Sequence, residues 1–279
     1  MKIRSKFAVV AIATVALLAT ISLPNIALAS HSWGGYHWAR TANPFTLKIG
    51  NNVSSTWTSA YNTAVSDWTA SSIMNLSSIA GTAGRNCKMV AGTVQVCNGK
   101  YGNNGWLGLG SINITGGVHI TQGTAKMNDT YFSTATYNNP NEKLHVMCQE
   151  IGHTFGLDHQ STSGASLNTC MDYFSNTGAN AGSTASTHPN QHDYDELVTI
   201  YTHLDSTTTL SFSNTGAGNP FAEDTTQPEN WGQLVRQSAN GRSSTYERRN
   251  WDGSIDATQV YWTIEAANVC RSCDHRYDH

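Results

Sequence analysis

The sequence predicts an α+β fold, with short strands in a sheet and three helices packed on it. Segments such as Phe45-Thr46-Leu47-Lys48-Ile49 alternate apolar and polar residues with strand period. From Trp57 to Ser71, Trp57, Ala60, Tyr61, Ala64, Val65 and Trp68 recur at helical spacing. The same spacing returns near 140–155 and again near 193–204. Beyond residue 29 the chain is rich in Ser, Thr, Asn and Gly and poor in Lys and Glu, a composition that suits much strand and loop.

The chain opens with Lys2, Arg4 and Lys6, runs apolar from Phe7 to Ile21, and reaches Ala27-Leu28-Ala29 after Pro24. This is the pattern of a secretory signal peptide over residues 1–29. The alternative is a retained membrane anchor, but the apolar core is shorter than the ~20 residues a spanning helix needs. No later segment is apolar enough to span, so no membrane association is expected after cleavage. Strands are then expected at Phe45–Ile49, Met74–Ile79, Gly92–Cys97, Trp106–Ile114 and Val118–Thr121, the last at a sheet edge. Pro140-Asn141 opens the second helix, with Asn141 as N-cap and Glu142 in the first turn. Gly156, free to take positive φ, ends it. The late helix covers Asp193–Leu204, with His192-Asp193 as its cap. Ser, Thr, Gly and Pro follow, which sets a soft boundary between a main domain, 30–205, and a small C-terminal extension, 206–279. Strand-like stretches lie there near Trp231–Val235 and Gln259–Ile264.

Removing residues 1–29 takes away three basic residues and no acidic one, so the formal charge goes from −3 to −6. A mildly acidic chain without a basic run argues against nucleic acid as a partner. The six cysteines are even in number, which in an exported chain suggests disulfides. Cys87 and Cys97 flank a short segment and would close a hairpin. A Cys148–Cys170 bridge would tie the second helix to the loop beneath it; two free thiols are the alternative. Cys270 and Cys273 read as a local bridge or an unstructured end, since no second ligand pair lies near to make a zinc knuckle.

One stretch concentrates the chemistry. Gln149-Glu150-Ile151-Gly152-His153-Thr154-Phe155-Gly156-Leu157-Asp158-His159 follows the zinc motif H-E-x-x-H-x-x-G-x-x-H with Gln in place of the first His. On a helix, residues four apart share a face, so Gln149 and His153 project together. Glu150 is offset, placed to reach a water without ligating the metal. A sharp turn at Gly156 brings His159 round to the same ion. Three protein ligands and one open position describe a catalytic zinc site, with the carboxylate as general base and acid.

With Met171-Asp172-Tyr173 following, the sequence resembles the metzincins, the zinc endopeptidases that include matrixins, astacins, serralysins and the gametolysin group. The resemblance covers about residues 35–205 and is specific in Gln149–His159 and Cys170–Tyr173. It implies a twisted mixed sheet with an active-site helix, a Met-turn at Met171 under the metal, and a late helix. It implies Zn2+ held by Gln149, His153 and His159, with Glu150 and Tyr173 as catalytic residues, Tyr173 as a weak ligand or oxyanion stabiliser. The implied protein is a secreted endopeptidase acting on an extended protein or peptide substrate paired along a sheet edge, near Val118–Gln122. Its oligomeric state is not encoded in any pattern here.

An uncharged carboxamide oxygen is a poorer zinc donor than imidazole. Gln149 can ligate through that oxygen, as the resemblance to gametolysin-like proteins implies; another residue can complete the site; or the metal is lost. His145 is the nearest substitute, but it lies eight residues from His153, about 12 Å along a helix axis. It is placed instead to orient Gln149. His119, His188 and His192 remain as distant candidates. Two rival functions stand beside the peptidase. One is a catalytically silent metal-binding pseudopeptidase. The other is a secreted binding protein that works through Trp231, Trp251, Tyr261 and Trp262 of the C-terminal extension.

Overall fold

The computed structural model describes residues 30–211 and 224–277. The signal segment 1–29 lies outside the described residues. In chain order the strands and helices are β1 (His37–Trp38), β2 (Phe45–Asn52), α1 (Thr58–Thr69), β3 (Met74–Ala80), β4 (Thr93–Gly99), β5 (Trp106–Thr115), β6 (His119–Asn128), the short α2 (Asp129–Phe132), α3 (Pro140–His153), α4 (Gln191–Ile200), β7 (Gln233–Gln237), β8 (Ser243–Arg249), β9 (Ile255–Trp262) and α5 (Ile264–Val269). The α+β expectation holds.

All the strands join one mixed sheet in the order β3-β2-β4-β6-β5-β9-β8-β7, with β1 paired to the start of β6. The half from β3 to β6 is parallel, and the half from β5 to β7 is antiparallel. The strand at Val118–Gln122 is not a sheet edge: one flank of β6 is filled by β1 and then β4, the other by β5. A strand paired on both sides has no free N–H or C=O row for a peptide, so the expected docking edge is corrected. The free side of β5 is taken by β9. The segment after residue 206 therefore continues the main sheet.

The larger core lies between the sheet and the helices, with Trp38, Leu47, Trp57, Trp68, Met127, Ile151 and Phe155 fully buried. A smaller cluster of Trp106, Leu109, Trp231, Tyr246, Val260 and Trp262 packs the antiparallel half. Three of the four aromatics considered as a binding surface are thus core; Trp251 alone is exposed. The indole of Trp68 donates to the Cys148 carbonyl (3.0 Å), pinning α3 against α1.

Helix starts differ from the sequence reading by local hydrogen bonding. Asn139, not Asn141, caps α3: its side chain accepts from the Glu142 N–H, and Pro140 takes the first turn, where it lacks no needed donor. Asn190 caps α4, and Asp193 returns a bond to the Asn190 N–H as the partner in a capping box. His192 has no cap role. The three disulfides are Cys87–Cys97, Cys148–Cys170 and Cys270–Cys273. No helix among the described residues is long and apolar enough to cross a membrane.

Candidate metal and catalytic site

Helix α3 carries Gln149, Glu150 and His153, all buried. The Cys148–Cys170 bridge fixes the helix to the turn that holds Met171. A side chain on Gly152 would strike the Met171 sulfur, so the thioether lies directly beneath the helix at that turn. The Gln149 amide nitrogen donates to the carbonyls of Cys170 (2.9 Å) and Asp172 (2.8 Å). Two carbonyl acceptors require the NH2 group there, so the amide orientation is decided by chemistry. Its oxygen, Oε1, is left buried without a donor. An orphaned buried acceptor is costly unless something electropositive meets it. His145 is fully buried and shares the Asp172 carbonyl through Nε2 (3.3 Å), while Nδ1 meets Asn176 Oδ1 (3.1 Å). It braces the same turn as Gln149 and coordinates nothing.

The loop after α3 is shaped by the N-terminal segment. Trp33 N–H donates to the Gly156 carbonyl (2.7 Å), and the Trp38 indole donates to the Thr154 carbonyl (2.9 Å). Gly156 has φ +91°, and a Cβ there would overlap the Tyr36 carbonyl oxygen, so glycine is needed on two counts. The turn delivers His159 to His153, with their Nε2 atoms 3.1 Å apart.

The proton positions of this pair are informative. His153 Nδ1 faces the Leu157 carbonyl at 2.9 Å, so that nitrogen holds the proton. His159 Nδ1 faces the Asp158 carboxylate at 3.2 Å, a contact that favours the proton on Nδ1, and the Tyr173 hydroxyl at 2.8 Å. In that tautomer both Nε2 atoms present lone pairs to each other, an arrangement that a cation between them satisfies. Burial, reinforced by the His159 charge, pushes His153 down to about 3. Burial also lowers His159. Both shifts favour the neutral imidazole, the form that binds metal. The separation is close to the ~3.3 Å between ligand atoms of a tetrahedral zinc with bonds of about 2.0–2.1 Å. Gln149, one turn before His153 on the same helix, buries its unpartnered oxygen as a further candidate donor.

Both carboxylate oxygens of Glu150 are buried without a hydrogen-bond partner, and burial raises this group well above the usual carboxylate range. β5 passes directly over it. A Cβ at Gly108 would overlap Glu150 Oε1, and one at Gly110 would lie 2.7 Å from His153 Cβ. Tyr173 stacks on His159 with ring centroids 4.3 Å apart, and its hydroxyl meets His159 Nδ1 at 2.8 Å. That nitrogen faces away from His153, so the contact positions the His159 ring.

Asp158 pairs with Arg236 and accepts from Gln259 Nε2 (3.3 Å), both from the C-terminal strands. Burial alone would raise its carboxyl, but the hydrogen bond and charge of His159 and the Arg236 charge hold it below the ordinary value. A cavity of about 130 Å3 adjoins His159 and Tyr173, roofed by Arg236, Gln237, Ser238 and Ala239. The β7–β8 hairpin thus lines the cavity beside His159.

The remaining histidines do not reach this site. His188 pairs with Asp67 at the surface (2.6 Å), and His192 stacks on His31. His37, His203 and Asp205 form a separate group able to hold a metal ion, their ligand atoms within 4.8 Å of one another. His119 joins that group through Asp205 (3.2 Å). Sequence reasoning missed it. The only local signal is His203-x-Asp205, too common to single out. Comparison of the chain with protein-family models and with curated proteins gives no match.

Proposed function

We propose that the chain is a secreted zinc endopeptidase of metzincin type, with Gln149, His153 and His159 as ligands and Glu150 as general base. The observation that carries this reading is the facing pair of imidazole lone pairs, 3.1 Å apart, at the end of a helix that also buries an unpartnered Gln149 oxygen and an unpartnered Glu150 carboxylate. Zinc, when bound, supplies Lewis acidity, acidifying water and polarising a peptide carbonyl. Glu150 takes the proton of the attacking water and delivers it to the leaving amine. Its dry pocket under β5 favours the first transfer, because a carboxylate raised by burial is the stronger base toward the water's proton. Leu157 and Asp158 hold the imidazole tautomers, Tyr173 fixes the His159 ring, and the Cys170 and Asp172 carbonyls turn the Gln149 oxygen inward. The signal-like segment 1–29 and three disulfides support export.

A second reading, a metal-binding module that cleaves nothing, is favoured by the β7–β8 hairpin: a cavity of about 130 Å3 is too small for an extended peptide. Zinc analysis with a peptidase assay separates the two. Wild type should bind zinc at the motif and cleave a mixed peptide pool. Glu150→Ala should keep zinc and lose at least 100-fold in rate. Gln149→His should bind zinc more tightly, imidazole being the better donor. A wild type that binds zinc there and cleaves nothing supports the silent module, and one that binds none at the motif removes both readings.

A further inference from the structure

We propose that His37, His203 and Asp205 hold a structural zinc-class ion that locks the N-terminal segment onto the sheet. This site is separate from the motif and does not depend on the peptidase reading. His37 lies on β1 and His119 opens β6, and the two are register partners across that parallel pairing. His203 and Asp205 follow α4. Three donor atoms, from His37, His203 and Asp205, converge, and His119 bonds Asp205 from beside them. His37 Nε2 and His203 Nε2 are 3.1 Å apart. Asp205 Oδ1 lies 3.2 Å from His119 Nε2, 3.5 Å from His37 Nε2 and 3.7 Å from His203 Nε2. These separations bracket the ~3.3 Å between ligand atoms of a tetrahedral zinc.

The surrounding contacts select that arrangement. His37 Nδ1 meets the Gly35 carbonyl at 2.8 Å, so it carries the proton and Nε2 is a lone pair. That lone pair faces a carboxylate oxygen, which is also an acceptor, and a metal ion or a second proton on the ring reconciles them. Asp205 Oδ2 accepts from Arg40 Nη1 (2.8 Å) and from the Arg40 backbone N–H (3.1 Å), leaving Oδ1 alone turned to the histidines. A carbonyl behind one ligand and a guanidinium behind another are the supports that fix metal-site geometry. Two imidazoles and one carboxylate select zinc over calcium or magnesium, which take oxygen donors. The ion would staple β1 to the segment after α4, with His119 of β6 bonded to Asp205. The residues just before β1 then hold the motif: Trp33 bonds Gly156, and Ser32 bridges Leu157.

The test counts zinc per full-length chain, equilibrated with zinc chloride and freed of excess by gel filtration. His203 is half-exposed, so His203→Ala leaves no core cavity. Relative to wild type it should lose one equivalent of zinc and unfold at lower temperature in zinc, with the difference vanishing in EDTA. His153→Ala/His159→Ala should retain one equivalent, and adding His203→Ala should remove it. If the motif binds no zinc, wild type holds one ion and His203→Ala brings the count to zero. If His203→Ala leaves the count unchanged, the cluster is a hydrogen-bonded histidine group and the proposal fails. If the motif double variant does not fold, the comparison of His203→Ala with wild type decides alone.

Discussion

Gly156 is the residue on which the loop of the motif turns, for a reason the sequence shows only in part. The end of a helix favours positive φ, and glycine takes it freely. The structure adds that the Tyr36 carbonyl fills the space where a Cβ would sit. Gly156→Ala should therefore lose about 2–4 kcal/mol of stability, from a strained backbone and a forced shift of the N-terminal segment. Thermal unfolding measures that loss, and an unchanged midpoint would show that the segment gives way without cost. His145 and Gln149 illustrate the same point. Helix spacing placed His145 out of reach of His153 and beside Gln149, but not the shared Asp172 carbonyl, which lies in a turn far along the chain.

Among elements, α1, α3, β2, β3 and β4 were legible because each has a clear period and clear breakers, whereas β6, which runs to Asn128, was read only at its start, Val118–Thr121. β8 was not legible. Its sequence, Ser243-Ser-Thr-Tyr-Glu-Arg-Arg249, has one large apolar residue, Tyr246, and its strand state comes from pairing between β7 and β9. The β7–β8 hairpin is held to the motif by the Arg236–Asp158 pair. Arg236 is half-exposed, so the hairpin should loosen without a core defect. Arg236→Ala should speed amide hydrogen exchange in residues 233–249 and raise kcat/KM for a peptide several-fold. Unaltered exchange would mean that strand pairing alone keeps the hairpin shut.

At the scale of the molecule, one buried cation sets a pH dependence. Lys126 of β6 is fully buried, its Nζ donating to Thr225 Oγ1 (2.9 Å). Burial lowers it from 10.5 to about 7, with the Asp224 charge opposing. Between about pH 7 and pH 10.5 the unfolded chain holds a proton that the folded chain has shed, so this group makes stability rise with pH across that window. Below pH 7 both states are charged and the full burial penalty remains. Lys126→Met should stabilise the protein on the order of a few kcal/mol at pH 7 and much less at pH 10. Denaturant unfolding at the two pH values checks this, and an equal effect at both would show that the ammonium is not desolvated in the folded state.

The sequence by itself determined the α+β class, the helix bearing Gln149, Glu150 and His153, and the three cysteine pairs as candidates, because helical and strand periods and short cysteine spacings are local. Only the tertiary structure decided that β6 is interior, that β9 takes the free side of β5, and that the C-terminal hairpin lines the cavity beside His159. Only the tertiary structure, likewise, gathered His37, His203 and Asp205 around one point, with His119 bonded to Asp205. Pairing between strands and convergence of side chains more than 80 residues apart in the chain depend on the packing of the whole sheet, which no local period records.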